Sequence, residues 1–328
     1  MTIPLSVLDL APIKKGGTAR ESFQNSVALA QAAERSGYRR VWYAEHHNMG
    51  SIASSATSVL IGHVAEHTDT IRLGAGGIML PNHSPLVIAE QFSTLQQLHP
   101  GRIDLGLGRA PGSDQNTMLA LRRDATSADT FPQDVVELQT YLTGQAVRGV
   151  RSVPSPDGDV PLYVLGSSLF GAQLAAQLGL PYSFASHFAP DALHQATQLY
   201  REQFQPSDQL AEPHVIAGVN AFAADDHDTA HEQKTIAYRA RARMMISRSR
   251  AGGSLTDAEV DAFLASPAGR PLANMTKYTA AGTPGEVRDY LTEFAESCGA
   301  DELIVAHQAT EIEDRIRSAE LTASVMAG

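Results

Sequence analysis

The sequence predicts an α/β protein: a (β/α)8 TIM barrel in a single domain spanning residues 1–328, with a lid-like insertion after strand 7. Two observations lead there. Short apolar runs alternate with amphipathic helical stretches along most of the 328 residues, and there are eight such runs. The runs are continuous rather than strictly alternating, which suits parallel strands covered on both faces. A third observation removes the main competitor, a doubly wound dinucleotide-binding sheet. The first run leads into Ala11-Pro12-Ile13-Lys14-Lys15-Gly16-Gly17, which is no G-x-G-x-x-G turn. Eight βα units in one chain close most economically into a barrel.

The strand candidates are residues 5–10, 40–45, 71–80, 102–108, 162–166, 182–185, 214–221 and 302–306. Helical patterns lie between them at 23–37, 54–67 and 172–178. Ser36-Gly37 and Leu178-Gly179 read as helix ends with a left-handed glycine cap. The seventh run is followed by a long helix, roughly 226–246, and then by residues 247–283. That stretch carries Gly252-Gly253, Pro267, Gly269, Pro271 and Gly282. An insertion after a barrel strand sits at the catalytic mouth, so it reads either as a mobile lid or as a plain surface elaboration. The chain after Thr310 reads as a terminal helix.

Composition limits the function. The hydrophobic fraction of 43% supports a sizeable core and excludes wholesale disorder. Acids outnumber bases 36 to 25, giving a net charge of −11, which argues against nucleic acid as a partner. A local pocket for one small anion stays open. One cysteine, Cys298, rules out an internal disulfide and fits a cytoplasmic location. No signal peptide and no membrane-spanning run are evident.

Several segments carry candidate chemistry. The second strand ends Trp42-Tyr43-Ala44-Glu45-His46-His47. Neighbouring side chains of an extended segment point apart, so these three polar residues converge only if the chain turns. One histidine entering the mouth would serve as an acid/base group; the competing reading is a histidine pair bonded to loop backbone. No metal site is expected there, because the spacing is poor for convergent ligands. His63-Val64-Ala65-Glu66-His67 matches a zinc-peptidase pattern, but it ends a helix at the wrong end of the barrel. Gly74-Ala75-Gly76-Gly77 in the third strand indicates either a crowded interior or a flat ring lying against it. Arg109, after the fourth strand, is a fork for phosphate or carboxylate, or else the partner of a carboxylate such as Asp114. Gly166-Ser167-Ser168-Leu169-Phe170-Gly171 leads from the fifth strand into a helix. Unpaired N–H groups there favour an anion, with ordinary serine N-capping as the alternative. Cys298 precedes the last strand and reads as structural.

Taken in order, these segments resemble the luciferase-like flavin monooxygenases. The resemblance is carried by Ala44-Glu45-His46-His47, by Gly76-Gly77-Ile78-Met79-Leu80-Pro81, by residues 101–109, and by Gly166-Ser167-Ser168 with residues 175–181. It extends from the first strand to the last and is closest to the single-chain branch of the family.

The resemblance implies a barrel that binds reduced FMN, supplied by a separate flavin reductase. Oxygen would add to the ring, and the resulting flavin hydroperoxide would oxidise a small organic substrate. His46 matches the family's active-site histidine. Gly76 and Gly77 match a non-proline cis peptide behind the ring. Arg109, Ser167, Ser168, Leu169 and Gly171 match the phosphate site, with Arg122 or Arg123 as a second arginine. His187 takes the place of a tryptophan near the ring, Gly108 that of a reactive cysteine, and Ser167 that of a glutamate, so light emission and an aldehyde substrate are not carried over. The family also suggests a homodimer through helices beside strands two and three. Two other readings are a deazaflavin-dependent hydride transfer and a non-catalytic flavin-binding protein.

Overall fold

A computed structural model describes residues 3–110, 114–156, 158–249 and 255–326. Among the described residues there are nine parallel strands: β1 Leu5–Asp9, β2 Arg40–Tyr43, β3 Arg72–Met79, β4 Ile103–Gly108, β5 Leu162–Gly166, β6 Tyr182–Phe184, β7 Val215–Ala223, β8 Thr279–Gly282 and β9 Glu302–His307. Each pairs with its sequence neighbour from β1 to β7. The ring closes through β7–β9 (Ala217 opposite Leu303) and β1–β9 (Val7 opposite Val305). This is the expected eight-stranded barrel, a TIM barrel.

The helices are α1 Ala19–Arg35, α2 Thr57–Ala65, α3 Pro85–Leu98, α4 Gln115–Ala120, α5 Phe131–Leu142, α6 Leu169–Leu178, α7 Leu193–Gln203, α8 His227–Ser249, α9 Asp257–Ala265, α10 Arg270–Met275, α11 Pro284–Cys298 and α12 Ile312–Met326. Their ends follow local chemistry. Thr18 and Glu21 form a capping box at the start of α1, a turn earlier than the apolar period alone indicates. Gly37 and Gly179 adopt the left-handed conformation, as expected. None of the described helices is long and apolar enough to cross a membrane.

The insertion contains structure that the glycines and prolines obscure. Its short Ala-rich strand, β8, extends the mouth end of β7. Asn220 pairs with Thr279 on one edge and Ala306 on the other, so β8 lies opposite β9. Helices α9 and α10 bury Val260 and Leu272 against Ala242 of α8, a small core separate from the barrel. Arg239 and Arg243 of α8 pair with Asp257 and Asp261 of α9. Gly252 and Gly253 lie outside the described residues, as do Pro111, Gly112 and Ser113.

Strand alternation divides the core in two. Val7, Val41, Leu73, Leu105, Val164 and Val305 face the helices. Leu8, Trp42, Tyr163, Ile216, Ile304 and Ala306 fill the barrel interior. Below them, at the N-terminal ends of the strands, Arg40 donates to Asp104 at 2.8 Å and to the Tyr163 hydroxyl at 2.6 Å, and it also pairs with Glu302. Burial opposes the Arg40 charge, but Asp104 and Glu302 outweigh it and its pKa rises. The indole N–H of Trp42 donates to the same Asp104 at 3.1 Å.

A tryptophan inside a barrel needs small neighbours. A Cβ at Gly74 would lie 3.0 Å from Trp42 Cδ1, and one at Gly76 would lie 2.9 Å from Trp42 Cβ. At Gly106 it would lie 2.3 Å from the Ala75 carbonyl oxygen and 2.5 Å from Leu165 Cδ1. Overpacking of this kind costs about 1–3 kcal/mol. Urea unfolding of Gly106→Ala should show that loss. Gly50→Ala, whose methyl would meet nothing within 4 Å, should stay within about 0.5 kcal/mol of the parent. Equal stability of the two variants would contradict this packing.

Candidate active site

The interior is filled up to the C-terminal rim, so chemistry is confined to side chains that leave the strand ends. Beyond β2, Glu45 and His47 bond each other while His46 stays out of that contact. Glu45 is buried, 1% exposed. One of its oxygens accepts from His47 Nε2 at 2.7 Å and from His83 Nε2 at 2.8 Å. The other accepts the Met79 N–H at 3.0 Å, which ties the end of β2 to the end of β3. Burial works against the Glu45 charge. The bonds from His47 and His83 overcome that and hold its pKa at about 2. An ionised carboxylate only accepts, so both imidazoles must present N–H there.

His83 escaped the sequence reading. It closes a one-turn helix after β3, in Pro81-Asn82-His83, and reaches Glu45 because β2 and β3 are neighbours. Glu45, His47 and His83 are the only group among the described residues with metal-ligand spacing. Their ligand atoms are already engaged with one another. His63-x-x-Glu66-His67 forms no such group: His67 bonds the carbonyl of His63 and Glu66 faces His99.

The two adjacent histidines are pushed apart in basicity. The hydrogen bond that His47 donates to Glu45 raises the pKa of His47. Burial lowers that of His46, with Glu45 opposing, so its imidazole is neutral at pH 7. His46 Nδ1 is buried and has no partner among the described residues, so the loop-bonded reading fails for His46. His187, beyond β6, is in the same state. Burial, then the charge of Arg241, then His46, bring its pKa down to about 3, and its Nδ1 is also unpartnered. Gly218 makes room for it, since a Cβ there would lie 2.5 Å from His187 Nδ1.

The Gly76–Gly77 peptide bond is cis. It falls where the β3–β4 register slips, between Ala75 and Ile78. A Cβ at Gly77 would lie 2.8 Å from the Gly106 carbonyl oxygen. Contact with Trp42 and β4 therefore already accounts for the glycine pair.

Arg109 has no ion pair among the described residues. Asp114, its suggested partner, instead accepts from Asn48 Nδ2 at 2.9 Å and from the Thr117 N–H at 3.0 Å, capping α4. The Arg109 guanidinium carbon lies 4.2 Å from the centre of the Phe170 ring, in the first turn of α6. That contact brings Arg109 to the Ser167-Ser168 loop. Ser168 holds the N-cap position of α6, yet its hydroxyl makes no capping bond. The serine-capping alternative is thus not realised, and both serines are exposed. Tyr182 fixes the loop by donating to the Ser168 carbonyl at 3.1 Å. Of the two further arginines, Arg122 is exposed in a left-handed conformation, whereas Arg123 has a buried, unpartnered Nε. Cys298 is buried at the end of α11, its thiol pushed up to about 11 by burial, as a structural residue would be.

A closed barrel with acid–base side chains and an unpaired cation on its C-terminal rim is the architecture of a barrel enzyme. The sequence profile of the luciferase-like monooxygenase family matches residues 3–302. The chain belongs to that family. An Escherichia coli relative described as a luciferase-like monooxygenase is 48% identical over 328 residues, 99% of this chain and 97% of its own. A Bacillus subtilis N-acetyl-S-alkylcysteine monooxygenase is 33% identical over 92% of each chain. The crystal structure of apo-MsnO8 is 35% identical, with a TM-score of 0.89 over 99% of this chain and 98% of that one. The fold alone is shared, at a TM-score of 0.73, with two more distant structures. One is the oxygenating constituent of 3,6-diketocamphane monooxygenase, solved with FMN (17% identity; 98% and 97% of the chains). The other is an F420-dependent secondary alcohol dehydrogenase (15%; 99% of both). The fold thus houses flavins and deazaflavins alike.

Glu45 gives a pH test. Its folded pKa of about 2 lies below the unfolded value near 4.3. Its contribution is therefore complete above about pH 4.3 and lost as pH falls towards 2, and the span corresponds to about 3 kcal/mol. Glu45→Gln should be less stable than the parent by about that amount at pH 7, with the gap narrowing below about pH 4. A gap that does not vary with pH would show that the carboxylate is not held as described.

Proposed function

We propose that this protein is an FMN-dependent monooxygenase that uses reduced FMN and O2 to oxidise a small organic substrate. The observation that carries the reading is Arg109, bonded among the described residues only to the Ala128 carbonyl and stacked on Phe170 next to the exposed Ser167 and Ser168 at the start of α6. The backbone N–H groups of that helix start and its dipole favour a phosphate dianion. Arg109, Ser167, Ser168, the backbone of Leu169, and Gly171, which admits a close approach, would hold it. Reduced FMN would supply the electrons for oxygen activation.

The chain's own residues do the rest. His46 and His187 are neutral at pH 7 and each presents an uncommitted ring nitrogen, so His46 can hold or pass one proton at Nδ1. Gly76 and Gly77 would form the wall beside the ring. The α9–α10 insertion would limit water above it, as a lid. A separate flavin reductase is the electron source in this reading. Val59 on α2 and Leu98 on α3, 71% and 64% exposed, favour a homodimer through the helices outside β2 and β3.

Fluorescence titration tests the phosphate assignment. Arg109→Ala combined with Ser168→Ala should weaken FMN at least tenfold, as loss of charge-assisted bonds requires, and leave riboflavin within about twofold. Unchanged FMN binding would remove the assignment. Oxygen uptake with reduced FMN tests His46: His46→Ala should lower substrate-dependent turnover about 10²-fold or more while FMN still binds. Unaltered turnover would take His46 out of the proton path.

A further inference from the structure

Arg241 lies on α8, half-buried at the barrel mouth. Burial lowers its pKa, and its only polar partner among the described residues is the Gln308 side-chain oxygen at 3.0 Å. Its neighbours on the helix, Arg239 and Arg243, both pair with carboxylates of α9. The buried Arg40 at the other end of the barrel has two. Arg241 thus stands out as a partly desolvated cation with no anion among the described residues. A charge in that position is destabilising unless something compensates it.

Its surroundings are built to hold it there. Gln308 directly follows β9, and its amide nitrogen donates to Asn220 Oδ1 at 3.1 Å. Asn220 in turn donates to the His187 carbonyl at 2.8 Å and the Tyr278 carbonyl at 3.3 Å. This relay leaves the Gln308 oxygen towards Arg241 and the remaining guanidinium N–H groups free. The same relay ties Arg241 to the His187 backbone, and the charges of Arg241 and His46 both act on the His187 ring. Arg109 and the start of α6 follow β4 and β5, several strands away around the ring.

We propose that Arg241, positioned by Gln308 and Asn220, binds the carboxylate of the substrate, so that the protein acts on small organic acids. A guanidinium fork matches a carboxylate bidentately, and desolvation strengthens the pair. The neutral imidazoles of His187 and His46 would then flank the part of the acid nearest the reacting centre. This inference rests on the monooxygenase reading for the word substrate, but not for the anion site itself.

The test compares straight-chain carboxylates from acetate to decanoate, together with phenylacetate and N-acetylmethionine, with their primary amides. Binding is measured by calorimetry on parent protein, Arg241→Gln and Arg241→Lys, with and without FMN. At least one acid should bind the parent tenfold or more tightly than its amide. Arg241→Gln should erase that preference and Arg241→Lys should keep part of it. A series in which no acid outbinds its amide, or in which Arg241→Gln keeps the preference, overturns the proposal. So does an Arg241→Gln variant whose loss is in FMN affinity, because the arginine would then belong to the cofactor. An acid preference that persists in protein unable to bind FMN would leave the anion site standing and sink the monooxygenase reading alone. Thermal unfolding adds an independent readout. Arg241→Met should raise Tm, since it removes an uncompensated charge; a lower Tm would make Arg241 a structural brace instead.

Discussion

The position of Trp42 inside the barrel governs much of the rest. Its side chain is fully buried, and its N–H is fixed on Asp104, which also anchors Arg40 and Arg72. Nothing larger than glycine fits beside it at positions 74 and 76, and β4 meets the same limit at Gly106. The lower barrel is therefore ionic, and the middle is filled with apolar and aromatic side chains. The candidate acid–base side chains lie at the C-terminal rim. A buried ion cluster at one end and an uncommitted rim at the other divide stability from chemistry along the barrel axis.

At the rim, charge is sorted rather than pooled. Glu45 keeps its charge because two imidazoles and a backbone N–H share it. His46, one residue on, stays out of that contact and loses its proton to burial. Arg109 and Arg241 are guanidinium groups at the mouth that no carboxylate satisfies among the described residues, and they lie at different strands. A net charge of −11 is thus compatible with the two anion sites proposed at the mouth.

Much of this was legible in the sequence. Eight of the nine strands follow from continuous apolar runs, because burial on both faces leaves that signature. The alternation in Glu45-His46-His47 foretold that the three would not converge. Strand β8 was not legible: Thr279–Gly282 is four small residues inside a stretch dominated by helix breakers, and only its pairing with β7 makes it a strand. His83 and Arg241 were missed for a related reason. Their roles arise from contacts across neighbouring strand ends and from the absence of a partner, and neither leaves a local pattern. The choice between a salt bridge and an open cation at Arg109 also needed coordinates, since Asp114 is close in sequence yet committed to α4.

The measurement that bears most directly on the account is a crystal structure of the protein soaked with FMN. The account predicts phosphate density between the Arg109 guanidinium and the Ser167-Ser168 turn, the ring beside Gly76–Gly77, His46 and His187, and the space at Arg241 left open. Phosphate bound at Arg241, or flavin anywhere other than the C-terminal rim, would contradict it.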